Sequence, residues 1–263
     1  MSENLLDFIE SYQNTQEKND HIFEHFTNKT NTISYLKKHR DYIELEKLGF
    51  GDRAFTYMWY LILDHIKKNG LDPLFLEIGV FKGQIISLWE LISKELLIES
   101  ITFGITPLKG NLIPKPSLLN ALKYKLFKKL KADADSGNHY EETDYLSIIK
   151  NLFEHFNLPF DGISLIKGYS TEAHIISNMS ENKFSIIYID GDHTFAGVTN
   201  DIQNYCPMIQ KGGFLIMDDA SCNLPGSKFW KGHQSVSDAC KIIENFSFKN
   251  VLNVGHNRIY QKL

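Results

Sequence analysis

The stretch Lys183–Ala220, KFSIIYIDGDHTFAGVTNDIQNYCPMIQKGGFLIMDDA, decides how this chain folds. It reads as strand, acidic turn, helix, glycine turn, strand, acidic turn. Ser185–Ile189 and Gly213–Met217 are short apolar runs rich in β-branched residues, as in strands buried on both faces of a parallel sheet. Each run ends in carboxylates, Asp190 and Asp192 after the first and Asp218 and Asp219 after the second. Open α/β sheets bind ligands at the carboxyl ends of their strands. If the two strands are neighbours, about 4.8 Å apart, these carboxylates and His193 converge on one small volume. Like charges so close need compensation, and a divalent cation or a proton-transfer role would supply it.

On the N-terminal side, Leu74–Val80 is the first strand, Gln84–Leu97 a helix, and Ser100–Ile105 a second strand ending at Thr106-Pro107. A long connection follows, with a basic amphipathic helix over Leu118–Lys131 and a polar run that contains His139. Tyr145–Phe156 is a helix, and Ile163–Lys167 is a third strand closed by Gly168. Beyond the opening stretch, Cys222–His233 is a loop of turn formers and aromatics. Val236–Phe246 is then a helix, and Phe248–Val254 with Arg258–Lys262 an antiparallel hairpin. Alternating strands and helices predict one α/β doubly wound sheet of seven strands. Residues 1–72 carry apolar residues three and four apart among charges and predict a helical extension. The expected division is therefore 1–72, a helical cap, and 73–263, the main domain, with 108–145 as a candidate lid. The cap either packs on the main domain or offers a surface for self-association.

Bulk properties narrow the function. Lysine and arginine number 28 against 32 acidic residues, a net charge of −4, which argues against nucleic acid as a partner because phosphate binding needs a concentrated positive field. Cys206, Cys222 and Cys240 are odd in number and lack CxxC spacing, so neither a disulfide framework nor a thiolate zinc site is expected. No basic-then-apolar leader opens the sequence and no apolar run nears the roughly 20 residues of a membrane span. A cytoplasmic enzyme without membrane attachment is expected.

Glu77-Ile78-Gly79-Val80-Phe81-Lys82-Gly83 falls on a strand–turn–helix, the setting of a nucleotide-binding glycine turn. Phe81 stands where a dinucleotide fingerprint needs its second glycine, which disfavours a dehydrogenase. Glu77 lies inside an apolar strand, where an unpaired carboxylate is costly. A ligand ammonium or a backbone amide is its expected partner.

Together these residues resemble the class I S-adenosylmethionine (SAM)-dependent methyltransferases, whose first motif is the ExGxxxG of Glu77–Gly83. The likeness is greatest to the sugar O-methyltransferases of the macrocin and aminocoumarin type and to the cephalosporin-hydroxylase-like group. It rests on Ile189-Asp190-Gly191-Asp192-His193 and on Gly212-Gly213-Phe214-Leu215-Ile216-Met217-Asp218-Asp219. The resemblance implies a Rossmann-like methyltransferase sheet of seven strands, the last antiparallel. It further implies that Glu77, Gly79, Val80, Phe81 and Gly83 shape the methionine end of a SAM site that Asp190 borders. Gly168, Tyr169 and Ser170 would meet the adenosine. Asp190, Asp218 and Asp219 match positions that hold a divalent cation, usually Mg²⁺, in those relatives. His193 or Asp192 would be the base, with His233 a further candidate; alternatively, Asp192 and His193 only cap the next helix. Thr106 stands where such enzymes carry an acidic residue that grips the ribose hydroxyls. The implied reaction is O-methylation of a small polar acceptor, a sugar or a phosphate-bearing precursor of a capsule, surface glycan or natural product. The alternatives are a metal-independent enzyme with a histidine base and a degenerate fold serving as a scaffold.

Overall fold

The computed structural model describes residues 3–109, 111–112, 139–140 and 143–263. Four helices open the chain: α1 (Leu5–Glu10), α2 (Gln16–Thr32), α3 (Ser34–Glu46) and α4 (Arg53–Lys68). Asn4 caps α1 in a capping box with Asp7, and the Thr15 side chain caps α2 by accepting from Lys18 N–H. Helix α4 ends in Lys67 and Lys68, cations that suit the negative end of the helix dipole.

The alternating part follows as β1 (Leu74–Ile78), α5 (Gln84–Leu96), β2 (Ile101–Thr106), β3 (Asn111–Leu112), β4 (His139–Tyr140), α6 (Tyr145–His155), β5 (Ile163–Lys167), α7 (Ala173–Met179), β6 (Phe184–Ile189), α8 (Phe195–Tyr205), β7 (Ile209–Met217), α9 (Gln234–Ala239), β8 (Phe248–Val254) and β9 (Asn257–Lys262). Seven of the strands form one sheet, ordered β5-β2-β1-β6-β7-β9-β8. Strands β5, β2, β1, β6 and β7 pair in parallel, and β9 is antiparallel to both β7 and β8. This is the expected seven-stranded sheet, with the last strand reversed and inserted beside β7.

The central strands are apolar throughout because both their faces are covered. Phe75, Ile186, Tyr188, Phe214 and Ile216 turn to the face packed by α1, α2, α4 and α5. Leu76, Ile78, Ile187, Ile189, Leu215 and Met217 turn to the other face, with Val198 and Ile202 of α8. Fully burying such a side chain contributes roughly 1.5–3 kcal/mol. Trp59 of α4 packs edge-on against Trp89 of α5 and Tyr188 of β6, at 5.0 and 5.2 Å between ring centroids. The core is therefore continuous from Leu5 to Ile259, and the N-terminal helices share it.

Three local expectations are altered. Gly212 and Gly213 do not make a turn ahead of the last parallel strand; β7 runs through them, with a register irregularity against β6 between Phe184 and Ile186. Gly212 has φ +79°, and a Cβ on Gly213 would lie 2.9 Å from the Ser185 carbonyl, so this bulge accepts no side chain. The expected helix Val236–Phe246 starts as α9 and tightens to a 3-10 helix over Cys240–Phe246. The parallel pair β3–β4 lies in the long connection where no strand was expected. The basic helix expected over Leu118–Lys131 and most of the candidate lid lie outside the described residues.

Candidate active site

Strands β6 and β7 are neighbours in register up to Ile189 and Met217, and Asp218 N–H donates to the Ile189 carbonyl at 3.1 Å. The two acidic turns are thereby set side by side. A third turn joins them, that of the β8–β9 hairpin, because β9 lies beside β7 and the His256 carbonyl accepts from Ala220 N–H at 2.8 Å. The loop after β7 closes the group, with His233 N–H donating to the Asp219 carbonyl at 2.8 Å. Asp219 has φ +53°, unusual for a residue with a side chain.

Three histidines face the carboxylates. His193 Nε2 stands 3.3 Å from Asp219 Oδ2 and 3.9 Å from Asp190 Oδ1. His233 stacks on the His193 ring at 4.6 Å, with its Nε2 3.7 Å from Asp219 Oδ2. His256, buried, places Nε2 3.3 Å from Asp218 Oδ1 and 3.6 Å from Asp219 Oδ1, while its Nδ1 faces Asp52 Oδ2 at 3.8 Å. Asp52 is the residue before α4 and makes no side-chain cap of its own helix. Phe55 packs edge-on to the His256 ring at 4.4 Å, and Trp230 lies against it at 5.3 Å.

These neighbours split the acids electrostatically. Burial, then Asp218 and Asp219, push Asp190 well above the carboxylate range. Burial acts likewise on Asp218, but the adjacent His256 outweighs it and holds Asp218 below its ordinary value. Burial and Asp218 raise Asp219 to about 7 against the pull of His193 and His256. Burial disfavours a charged His256, yet Asp218, Asp219 and Asp52 overcome it and raise its pKa. Burial and His193 lower that of His233.

The neighbouring base candidates Asp192 and His193 are placed differently. Asp192 Oδ1 accepts from Thr194 N–H at 2.7 Å, an Asx turn at the start of α8, where the Thr194 hydroxyl caps by accepting from Gly197 N–H. A Cβ on Gly197 would lie 2.3 Å from Asp192 Oδ2, so this carboxylate is pressed on the first turn of the helix. His193 instead turns to the acids, with its carbonyl accepting from the Ser235 hydroxyl.

On the β1 side, Glu77 is buried and accepts from Ile86 N–H, while its Oε2 has no hydrogen-bond partner. Burial, then Asp190, push its pKa well up. Gly79 has φ +99°, and a Cβ there would lie 1.9 Å from the Asp190 carbonyl. The glycine is thus demanded first by the crossing of the β1 and β6 turns, with or without a ligand. Val80 is in the core and Phe81 has φ +48°. Gly83 begins α5 against Ile149. Thr106 is buried, and its hydroxyl accepts from Leu108 N–H. After β5, Gly168 N–H donates to the Thr106 carbonyl, Tyr169 is half exposed, and the Ser170 carbonyl accepts from the Tyr205 hydroxyl. The sequence reading missed His256 and Asp52. Nothing local marks either, and only the insertion of β9 beside β7 brings the hairpin turn to the acids.

The loop Cys222–His233 is tied to α2: Asn19 donates to the Pro225 carbonyl, Asp20 accepts from Ser227 and Lys228 N–H, and Lys228 pairs with Glu24. Lys228 is thus engaged on that helix, while Trp230 packs on His233 and His256 and His233 borders Asp219.

Comparison with known proteins agrees with this architecture. NovP, an O-methyltransferase, superposes with a TM-score of 0.56 at 12% identity over 79% of this chain and 78% of its own. A caffeoyl-CoA O-methyltransferase-like protein from Staphylococcus aureus gives 0.53 at 15% identity over 94% and 100%. An O-methyltransferase-like protein from Klebsiella pneumoniae gives 0.54 at 10% over 94% and 99%. At such identities the likeness is one of fold. A curated relative, the uncharacterized protein R132 of Acanthamoeba polyphaga mimivirus, is 36% identical over 66 residues, 24% of this chain and 30% of that protein. No helix among the described residues is long and apolar enough to cross a membrane. The family model for a methyltransferase domain matches residues 76–220, more than half of the chain, from within β1 to the second acidic turn. The chain belongs to that methyltransferase family, and its sheet shares the fold of the O-methyltransferases above.

Proposed function

We propose that this methyltransferase transfers the methyl of SAM to an oxygen of a small polar acceptor, assisted by a divalent cation at Asp190, Asp218 and Asp219. The observation that carries the reading is the convergence of these carboxylates with His193, whose Nε2 lies 3.3 Å from Asp219. Carboxylates whose ordinary ionisation is opposed by burial and by one another fit a site completed by a cation, and Mg²⁺ is the ion the family resemblance implies. A cation held there supplies Lewis-acid polarisation and a template for an acceptor hydroxyl.

The chain's own groups do the rest. His193 Nε2 takes the hydroxyl proton as the acceptor oxygen bonds to the methyl carbon; the S–CH₃ bond breaks with its electron pair left on sulfur. The imidazolium so formed lies against Asp219, which stabilises it. The turn-closing hydrogen bond that Asp192 accepts from Thr194 N–H favours His193 over Asp192 in this role. Glu77 Oε2, buried without a partner, suits the methionine ammonium of the co-substrate. Without an acid at Thr106, the ribose hydroxyls find at most a single neutral hydroxyl at the end of β2.

A sugar, or a phosphate-bearing sugar precursor of a surface glycan or natural product, is the acceptor class this reading favours. The test is S-adenosylhomocysteine (SAH) release from SAM with a panel of nucleotide sugars and glycosides, with and without chelator. Turnover lost in chelator and restored by a divalent ion is the expected result. Full turnover in chelator would instead favour a metal-independent enzyme, a reading supported by the charge that His256 already sets beside Asp218 and Asp219. Absence of SAH binding at millimolar ligand would leave only a scaffold.

A further inference from the structure

We propose that His256 is a nitrogen ligand of the ion, oriented from behind by Asp52, and that the site therefore selects a transition metal such as Mn²⁺ or Co²⁺ over Mg²⁺. The inference rests on the divalent-cation reading above and specifies its chemistry. Its first support is spacing. Bonds of about 2.1 Å at octahedral to tetrahedral angles hold neighbouring donor atoms about 3.0–3.4 Å apart. His256 Nε2 is 3.3 Å from Asp218 Oδ1, within that range, and 3.6 Å from Asp219 Oδ1, just beyond it, and one ligand atom of each of the three residues lies within 4.8 Å of the others.

The second support is the far side of the ring. Histidines that bind metals characteristically present their other nitrogen to a carboxylate, which fixes the tautomer and raises ligand basicity. Nδ1 of His256 is buried without a hydrogen bond and faces Asp52 Oδ2 at 3.8 Å. Asp52 holds the position from which an aspartate ordinarily caps its own helix, yet its side chain makes no such bond.

The third support is rigidity. Phe55 and Trp230 both pack edge-on with the imidazole, and the His256 carbonyl accepts from Ala220 N–H, next to the two acids. A ring so placed need not be recruited. Imidazole nitrogen favours Mn²⁺ through Zn²⁺ along the Irving–Williams order, whereas Mg²⁺ prefers oxygen donors and retained water.

The test is ion binding to the whole chain without acceptor. Calorimetry with Mn²⁺ and Mg²⁺ is paired with pulsed electron paramagnetic resonance of bound Mn²⁺, which detects a ligating nitrogen. The wild type is expected to bind Mn²⁺ more tightly and to show a nitrogen coupling. His256→Gln should lose that coupling and weaken Mn²⁺ by about 10–100-fold while changing Mg²⁺ less than about threefold. Asp52→Asn, which spares the ring, should weaken Mn²⁺ by about 10–100-fold. It also decides the case if His256→Gln fails to fold. A nitrogen coupling that persists in His256→Gln, or Mn²⁺ bound by the wild type without one, overturns the inference and leaves the cation reading intact. A wild type that binds neither ion overturns both.

Discussion

The two halves of the strand-end cleft handle buried charge in opposite ways. Around β6 and β7, the carboxylates of Asp190, Asp218 and Asp219 meet His193, His233 and His256 within 4 Å. Around β1, Glu77 stands buried with one oxygen satisfied by Ile86 N–H and the other left alone. A region whose acids are faced by imidazoles has partners of its own for buried charge; one whose carboxyl lacks a second partner is poised for a charged visitor. The first half is suited to chemistry, where charge moves, and the second to binding, where it is cancelled once.

Four substitutions probe this contrast. The largest effect is expected at His193, whose Nε2 stands 3.3 Å from Asp219 against 3.7 Å for that of His233. His193→Gln should lower kcat about 10²–10⁴-fold, the usual worth of a general base, with SAH affinity within about threefold, read by SAH release and calorimetry. On the other half, Glu77→Gln should weaken SAH about 10–100-fold, the equivalent of one charge-assisted hydrogen bond, while the unliganded protein gains stability at pH 8. The sign follows from Glu77's raised pKa: the folded state holds a proton that the unfolded state has lost, so stability declines as pH rises above the ordinary 4.5. A Glu77→Gln protein that binds SAH normally would break the comparison.

Asp201 of α8 offers a control outside both halves. Burial raises its pKa to about 7 from an ordinary 3.8, against a hydrogen bond from Ser170. Its contribution is complete below pH 4 and is lost as pH climbs to 7. Asp201→Asn should match the wild type near pH 4 and exceed it at pH 8 by on the order of 2–4 kcal/mol, by chemical denaturation. The smallest effect is expected at Asp192. Asp192→Asn keeps an oxygen for Thr194 N–H, so stability should change by less than about 1 kcal/mol and kcat by less than tenfold. A kcat loss equal to that of His193→Gln would restore Asp192 as a base.

The acidic turns were legible because strand runs and their terminal carboxylates are local patterns, and β6 and β7 are joined by one short helix. The β-α alternation likewise announced the order of elements and the final hairpin. His256 was not legible, since its Val-Gly-His-Asn turn looks like any hairpin tip until β9 is placed between β7 and β8. Asp52 was hidden by its resemblance to an ordinary helix start. Gly79 was legible as an obligatory glycine but for a different reason, the Asp190 carbonyl beneath it. The clamp of Asp20 on Ser227 and Lys228 spans more than 200 residues, beyond anything periodicity can signal.

The hairpin that carries His256 also has a temporal meaning. A ribosome makes Asp190, Asp218 and Asp219 well before residue 256, and β7 waits with an open edge for β9. Until the last strand inserts, the nascent sheet holds its acids without the imidazole that offsets them and its longest strand without a partner on one side. Contacts of such long range close slowly. The vulnerable interval in this protein's synthesis thus falls between β7 and β9, until a single hairpin both seals the sheet and neutralises the turns beside it.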